Sequence, residues 1–227
     1  MAEDQRNARI FGVLFIVTFI TSIPALGLYQ PVLDDPAAYI SGGGHDTKIY
    51  LGVLLELLLI IANVGTAVVL YPIVRRQNEI LSLAYVTARV MESVFIAAGL
   101  LFVLAIVSLR HDDPSASALA VSLAALKDWT FLLGPGFIVG WGNGLILGYL
   151  MYSSGLVPRG MAILGLVGGT LIILSGIGVL FDVFDAGSTV QALATIPEFI
   201  WELSLGIYAA VWGFRRDAPI LSPEGRV

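Results

Sequence analysis

Six stretches of about twenty apolar residues, at 10–29, 49–71, 81–109, 129–152, 161–181 and 196–214, divide this chain. As a helix, each is long enough to cross a hydrocarbon core of about 30 Å. Lipid offers the backbone no hydrogen-bond partners, so a segment that enters it must satisfy its own amides, which these runs do by coiling. The sequence therefore predicts an all-α, polytopic membrane protein of six transmembrane helices in one integral domain, 1–227. Composition agrees. Hydrophobic residues make up 57% of the chain and charged residues 13%, about half the charged share of a soluble domain.

Loop charges set the expected orientation. Arg6, Arg9, Arg75, Arg76, Arg159, Arg215, Arg216 and Arg226 fall in the alternate segments that include both termini. The opposite loops hold Lys48 and Arg110, with Lys127 at a span edge, among seven aspartates. Cytoplasmic loops carry the arginine excess, so both termini are predicted to be cytoplasmic in a multi-pass cell-membrane protein. Tyr29, Tyr50, Tyr71, Trp129, Tyr152 and Trp212 stand near predicted span ends, where amphipathic rings settle. Arg6 and Arg9 before the first run resemble a signal peptide, but no small-residue cleavage site comes after it, so the run reads as a retained helix.

Within the spans, Gly134-Pro135-Gly136 is expected to bend or break the fourth helix. A short interfacial helix is expected before Lys127-Asp128-Trp129. Gly136, Gly140, Gly144 and Gly148 recur every fourth residue and build a smooth face for a neighbouring helix, inside the bundle or in a second copy. Thr195-Ile196-Pro197-Glu198 has capping-box spacing, which places Glu198 at the start of the sixth helix.

Four ionisable groups lie deep inside the runs: Glu56, Arg89, Glu92 and Glu202. Such groups are rare in spans and face one another or a wet cavity. Glu56 shares a stripe with Gly52, Asn63 and Thr66, and Arg89 shares one with Glu92 and Ser93. At 1.5 Å per residue the four occupy one band around mid-membrane. Three carboxylates against one guanidinium leave two surplus negative charges, to be met by protons, a cation or water.

Other chemistries lack their residues. No cysteine is present, so there is no thiol nucleophile and no sulfur-ligated metal. His45 and His111 sit in separate loops and make no ligand motif, so neither metal nor cofactor is expected. The net charge of −5 and the lipid-facing composition give the bilayer, with a second copy or a membrane partner, rather than nucleic acid, as the surroundings. The leading expectation is a small carrier or ligand-binding protein. The alternatives are a structural or regulatory subunit, in which the charges are glue between helices, and an intramembrane enzyme.

The run Ala88-Arg89-Val90-Met91-Glu92-Ser93 resembles the arginine–glutamate signature of a bacterial membrane family catalogued as domain of unknown function 4386. Leu156-Val157-Pro158-Arg159-Gly160 with Leu164-Gly165-Leu166 resembles that family's inner turn before the fifth span. Pro197, Glu202 and Gly213-Phe214 resemble its last helix, and Glu56 in Leu54-Leu55-Glu56-Leu57 fits as well. The resemblance covers nearly the whole chain. It implies six helices, a bacterial cytoplasmic membrane and no assigned activity.

Overall fold

A computed structural model describes residues 2–113 and 115–222 of the chain; Arg226 lies outside them. Among the described residues the fold is all-helical, without a strand. The long helices are α1 (Ala2–Asp34), α3 (Asp46–Val74), α4 (Glu79–Asp112), α7 (Arg159–Leu180) and α8 (Thr189–Val211), with a five-residue α2 (Pro36–Ile40) after α1. Between α4 and α7 lies one uninterrupted 38-residue helix, Ser117–Ser154. It is built from α5 (Ser117–Phe131), two π-helical stretches (Leu132–Ile138 and Gly140–Leu147) and α6 (Gly148–Ser154).

Five of these helices are long and apolar enough to cross a membrane: α1, α3, α4, Ser117–Ser154 and α7. The protein is thus a multi-pass membrane protein by its helices. The remaining long helix, α8, carries Glu198 and Glu202 within one short apolar stretch and is not among the five.

The first and last described segments meet at one end of the bundle. Gln5 Nε2 donates to the Phe214 carbonyl at 2.7 Å, and Arg76 pairs with Asp4 at 2.7 Å. The amide of Arg215 donates to the Leu156 carbonyl at 2.9 Å. Four of the arginine-bearing segments are tied together here. At the opposite, far end Asp46 receives Arg110 Nη1 at 2.9 Å and the Tyr39 hydroxyl at 2.6 Å, beside His111. Burial and the hydrogen bond to Asp46 push the Tyr39 phenol up to about 12, so it stays a donor across the physiological range.

Local expectations change in two of the helices. The interfacial helix before Trp129 is not a separate element, and Gly134-Pro135-Gly136 does not break the chain. Proline lacks an N–H and crowds the carbonyl four residues back. The π-helical turns around Pro135 widen the spiral and carry it through, with the Val139 amide reaching the Gly134 carbonyl five residues back. Glu198 does not cap a helix start. Ser188 is the N-cap of α8, accepting from the Gln191 amide, so Pro197 and Glu198 fall in mid-helix. The helix also stops earlier than predicted: Gly213 lies beyond its end, in the left-handed region at φ 75°, where glycine ends helices at no steric cost.

Helix Ser117–Ser154 runs close against α7 and α8, and this contact sets where the α8 glutamates sit. A Cβ on Gly140 would lie 2.6 Å from Ile172 and 2.9 Å from the Gly169 carbonyl, and one on Gly144 would lie 2.9 Å from Glu198 Oε2. Gly148 abuts Leu166 and Ala162, whereas a Cβ on Gly136 would meet only its own helix, at Phe131 and Leu132. We expect Gly140→Ala to destabilise the detergent-purified protein by about 1–3 kcal/mol, the usual cost of overpacking. Gly160→Ala, at a helical site with nothing within 4 Å, should instead be neutral or stabilise by up to about 1 kcal/mol. Thermal unfolding of the two variants side by side checks the ordering; equal effects would show that the glycine face is not a helix contact.

Candidate functional site

The long helices bring six charged side chains around one cavity region. On α4, Arg89 and Glu92 are three residues apart and meet directly, Nη1 to Oε2 at 2.6 Å. Asn63 on α3 closes the ring. Its Nδ2 donates to Glu92 Oε1 at 2.9 Å, while its Oδ1 accepts from Arg89 Nη2. The guanidinium lies 5.5 Å from the centre of the Phe15 ring on α1, a cation–π contact in a desolvated place. Arg89 is 2% exposed and Glu92 6%. This part of the cluster fixes α3 and α4 in register through charge-assisted bonds.

Glu56 does not join Arg89. It accepts from Lys127 Nζ at 3.2 Å and from the Tyr29 hydroxyl at 2.5 Å. Lys127 Nζ also lies 5.0 Å from the centre of the Tyr29 ring. Lys127, expected at a span edge, is 3% exposed, and Tyr29, expected in an interfacial belt, is fully buried. Both belong to an ion pair that links α1, α3 and α5. Gly52 makes room for it: a Cβ there would stand 3.0 Å from the Tyr29 ring.

On α8, Glu198 and Glu202 are four residues apart and share a face. Glu202 takes a hydrogen bond from Asn143 Nδ2 on the π-helical stretch. Trp201 between them is fully buried and donates Nε1 to the Asn143 carbonyl at 3.0 Å. Glu198 is 2% exposed, and neither of its carboxyl oxygens has a hydrogen-bond partner. It packs where α7 is bare: a Cβ on Gly168 would lie 2.6 Å from its Oε2.

Of these residues, Glu56, Asn63, Arg89, Glu92, Glu198 and Glu202 line one cavity of about 190 Å³. Its remaining walls are mostly apolar and aromatic, including Phe19, Phe131, Phe199, Leu59 and Ile172. Toward the far end it adjoins a wider cavity of about 610 Å³, and the two share Phe131, Pro135, Ile172, Thr195 and Phe199 as walls. Gln30 and Asp128 stand in the wider chamber, and Glu198 and Glu202 in the narrower one.

Of the residues expected from sequence, Arg89, Glu92 and Asn63 come into direct contact, and Glu202 and Glu56 share their cavity. The hydroxyls of Thr66 and Ser93 bond carbonyls of their own helices, Asn63 at 2.6 Å and Arg89 at 2.9 Å. Sequence reasoning missed Lys127, Tyr29, Asn143 and Glu198. Glu198 carried a usable signal, its four-residue spacing from Glu202 inside an apolar helix. Asn143 carried a weaker one, as a lone amide within the glycine-rich run.

Fold and site together define a helical, multi-pass membrane protein with a charged internal cavity. The family model Domain of unknown function (DUF4386) matches residues 10–213, and the chain belongs to that family. No curated protein matches it. No solved structure matches it either.

Proposed function

We propose that this protein is a small membrane carrier or ligand-binding protein whose Glu198–Glu202 pair holds protons or, in their place, a bound cation. In this reading α8 is the sixth span, and both termini lie in the cytoplasm of a cell membrane. The orientation rests on the arginine-bearing segments that gather at the terminal end, and it turns the wider cavity outward.

One observation carries the reading. Glu198 is a buried carboxyl group with both oxygens unpartnered, on the wall of a cavity that leads toward the bundle end. Buried polar atoms in native structures are as a rule satisfied by protein, water or a bound group, and Glu198 is the one side chain among the described residues with a whole carboxyl group left over. Charge arithmetic points the same way. Glu56 is matched by Lys127 and Glu92 by Arg89, which leaves Glu198 and Glu202 without a cation of their own. Protons or a ligand must supply that balance.

The reading of the charges as glue suits the other half of the cluster. Asn63, Arg89 and Glu92 bond one another, with only Arg89 Nε left without a partner, and Tyr29 and Lys127 both bond Glu56. The helix ties and the working site are therefore different residues.

Thermal stability of the detergent-purified protein from about pH 5 to about pH 9 tests this, over the range where displaced carboxyl groups titrate. Glu198→Gln is expected to stabilise the protein and flatten its pH profile, because it removes a charge held at the expense of stability. Glu56→Gln and Glu92→Gln should destabilise it, because their partners lose a counter-charge. A sharp, pH-independent loss in Glu198→Gln would make α8 a structural tie as well and remove the support for a carrier.

A further inference from the structure

We propose that the ligand of this cavity is a small organic cation with an apolar body, an ammonium or amidinium group attached to an aromatic or branched hydrocarbon, seated with its charge on Glu198. The proposal rests on the proton- and cation-sharing role of the α8 pair and names what that pair binds.

The walls argue for an organic rather than an inorganic cation. A bare metal ion needs oxygen or nitrogen ligands on several sides. Among the described residues, no group of three histidine, aspartate or glutamate side chains converges to hold one. The cavity instead offers Glu198, with both oxygens unpartnered, beside Glu202, which takes the Asn143 hydrogen bond. Its other charged walls are already paired, Arg89 with Glu92 and Glu56 with Lys127, and the rest are mostly rings and branched aliphatics. Phe19 and Phe199 meet edge to face at 5.2 Å between α1 and α8, and Phe131 shares the cavity wall with them. Aromatic faces attract cations and solvate hydrocarbon equally well.

Size narrows the class. A dry cavity of about 150 Å³ accommodates benzene, so about 190 Å³ suits one ring or a compact branched chain with a short cationic arm. The wider chamber is also walled largely by apolar side chains, and so passes a ligand with a hydrocarbon body.

The charge balance predicts how binding is coupled. Glu198 is faced by Glu202 from its own helix and by Arg89 and Glu92 from α4; α7 presents glycine there. Glu92 and Arg89 neutralise each other, so an arriving cation displaces a proton from the α8 pair. Entry of the cation and exit of a proton leave the site's net charge unchanged.

Calorimetric titration of the full-length protein in detergent with 2-phenylethylammonium chloride is the test, run in buffers of different ionisation enthalpy so that proton release is read directly. Sodium chloride and 3-phenylpropionate serve as parallel titrants. Saturable binding of the ammonium compound with proton release, no binding of the carboxylate, and a loss of affinity of at least about tenfold in Glu198→Gln, the scale of one charge-assisted contact, are expected. Ser22→Phe, which adds a ring at the cavity wall and keeps every carboxyl group, should block binding as well and covers the case in which Glu198→Gln folds poorly.

Proton release on sodium chloride alone, lost in Glu198→Gln, would overturn the organic-cation class and leave the cation-sharing site standing. No proton release with any titrant would overturn both. Binding of the ammonium compound that survives both Glu198→Gln and Ser22→Phe would place it elsewhere on the protein, and the proposal would fall.

Discussion

Replacing Lys127 with methionine should destabilise this protein by about 3–5 kcal/mol, and adding Glu56→Gln should restore most of the loss. The first number comes from burial. Lys127 and Glu56 side chains are 3% and 5% exposed and meet at 3.2 Å, and removing one partner of such a pair strands the other as an uncompensated charge. The restoration is expected because an ion pair replaced by neutral groups of similar shape often costs nothing. In the double variant the glutamine oxygen still accepts from the Tyr29 hydroxyl, so the phenol keeps its partner. A double-mutant cycle by thermal or denaturing-detergent unfolding should give a coupling energy of roughly 2 kcal/mol or more, far above the exposed-pair range. A coupling below about 1 kcal/mol would mean that Lys127 directs its charge to water at the far end and leaves Glu56 to Tyr29 alone.

That pair also shows where sequence reasoning reaches its limit. The spans are legible because lipid makes length and hydrophobicity nearly sufficient to define a helix, and five of them satisfy the same criterion in the structure. Helix α8 is the exception for a physical reason: its two glutamates, Glu198 and Glu202, lower its hydropathy. Arg89 and Glu92 are legible as neighbours because three residues along a helix fix a common face. Lys127 is not. Its place two turns before Pro135 resembles a span edge, and only continuation of the helix through π-helical turns carries it inside. Tyr29 has the sequence context of a belt residue, and only the approach of Lys127 and Glu56 shows otherwise. Glu198 reads as part of a cap because Thr195 precedes it by three residues, a spacing that mid-helix residues also show. Local spacing identifies candidate partners; the choice among them is made by helix packing.

Arg89 gives the second large effect, and its pattern of rescue tells whether the cluster acts as one electrostatic unit. Arg89→Met should also cost about 3–5 kcal/mol, since the side chain is 3% exposed and its partner Glu92 only 7%. It differs from Lys127 in having no single partner. Glu92 and Asn63 take its hydrogen bonds, and Glu198 and Glu202 lie within its field. Restoring neutrality to the α4 pair with Glu92→Gln should therefore recover only part of the loss, because the α8 carboxyl groups still lack the nearby positive charge. Glu202→Gln in the same background should recover a comparable part, although Glu202 makes no direct bond to Arg89. Arg89→Lys should fall between, by about 1–3 kcal/mol, because an ammonium keeps the charge but cannot present the planar fork that Glu92 and Asn63 share. Unfolding of this set at neutral pH decides the matter. Full rescue by Glu92→Gln and none by Glu202→Gln would confine Arg89 to α4, and the α8 pair would then hold its charge balance through its own protons and ligand, with no contribution from the arginine.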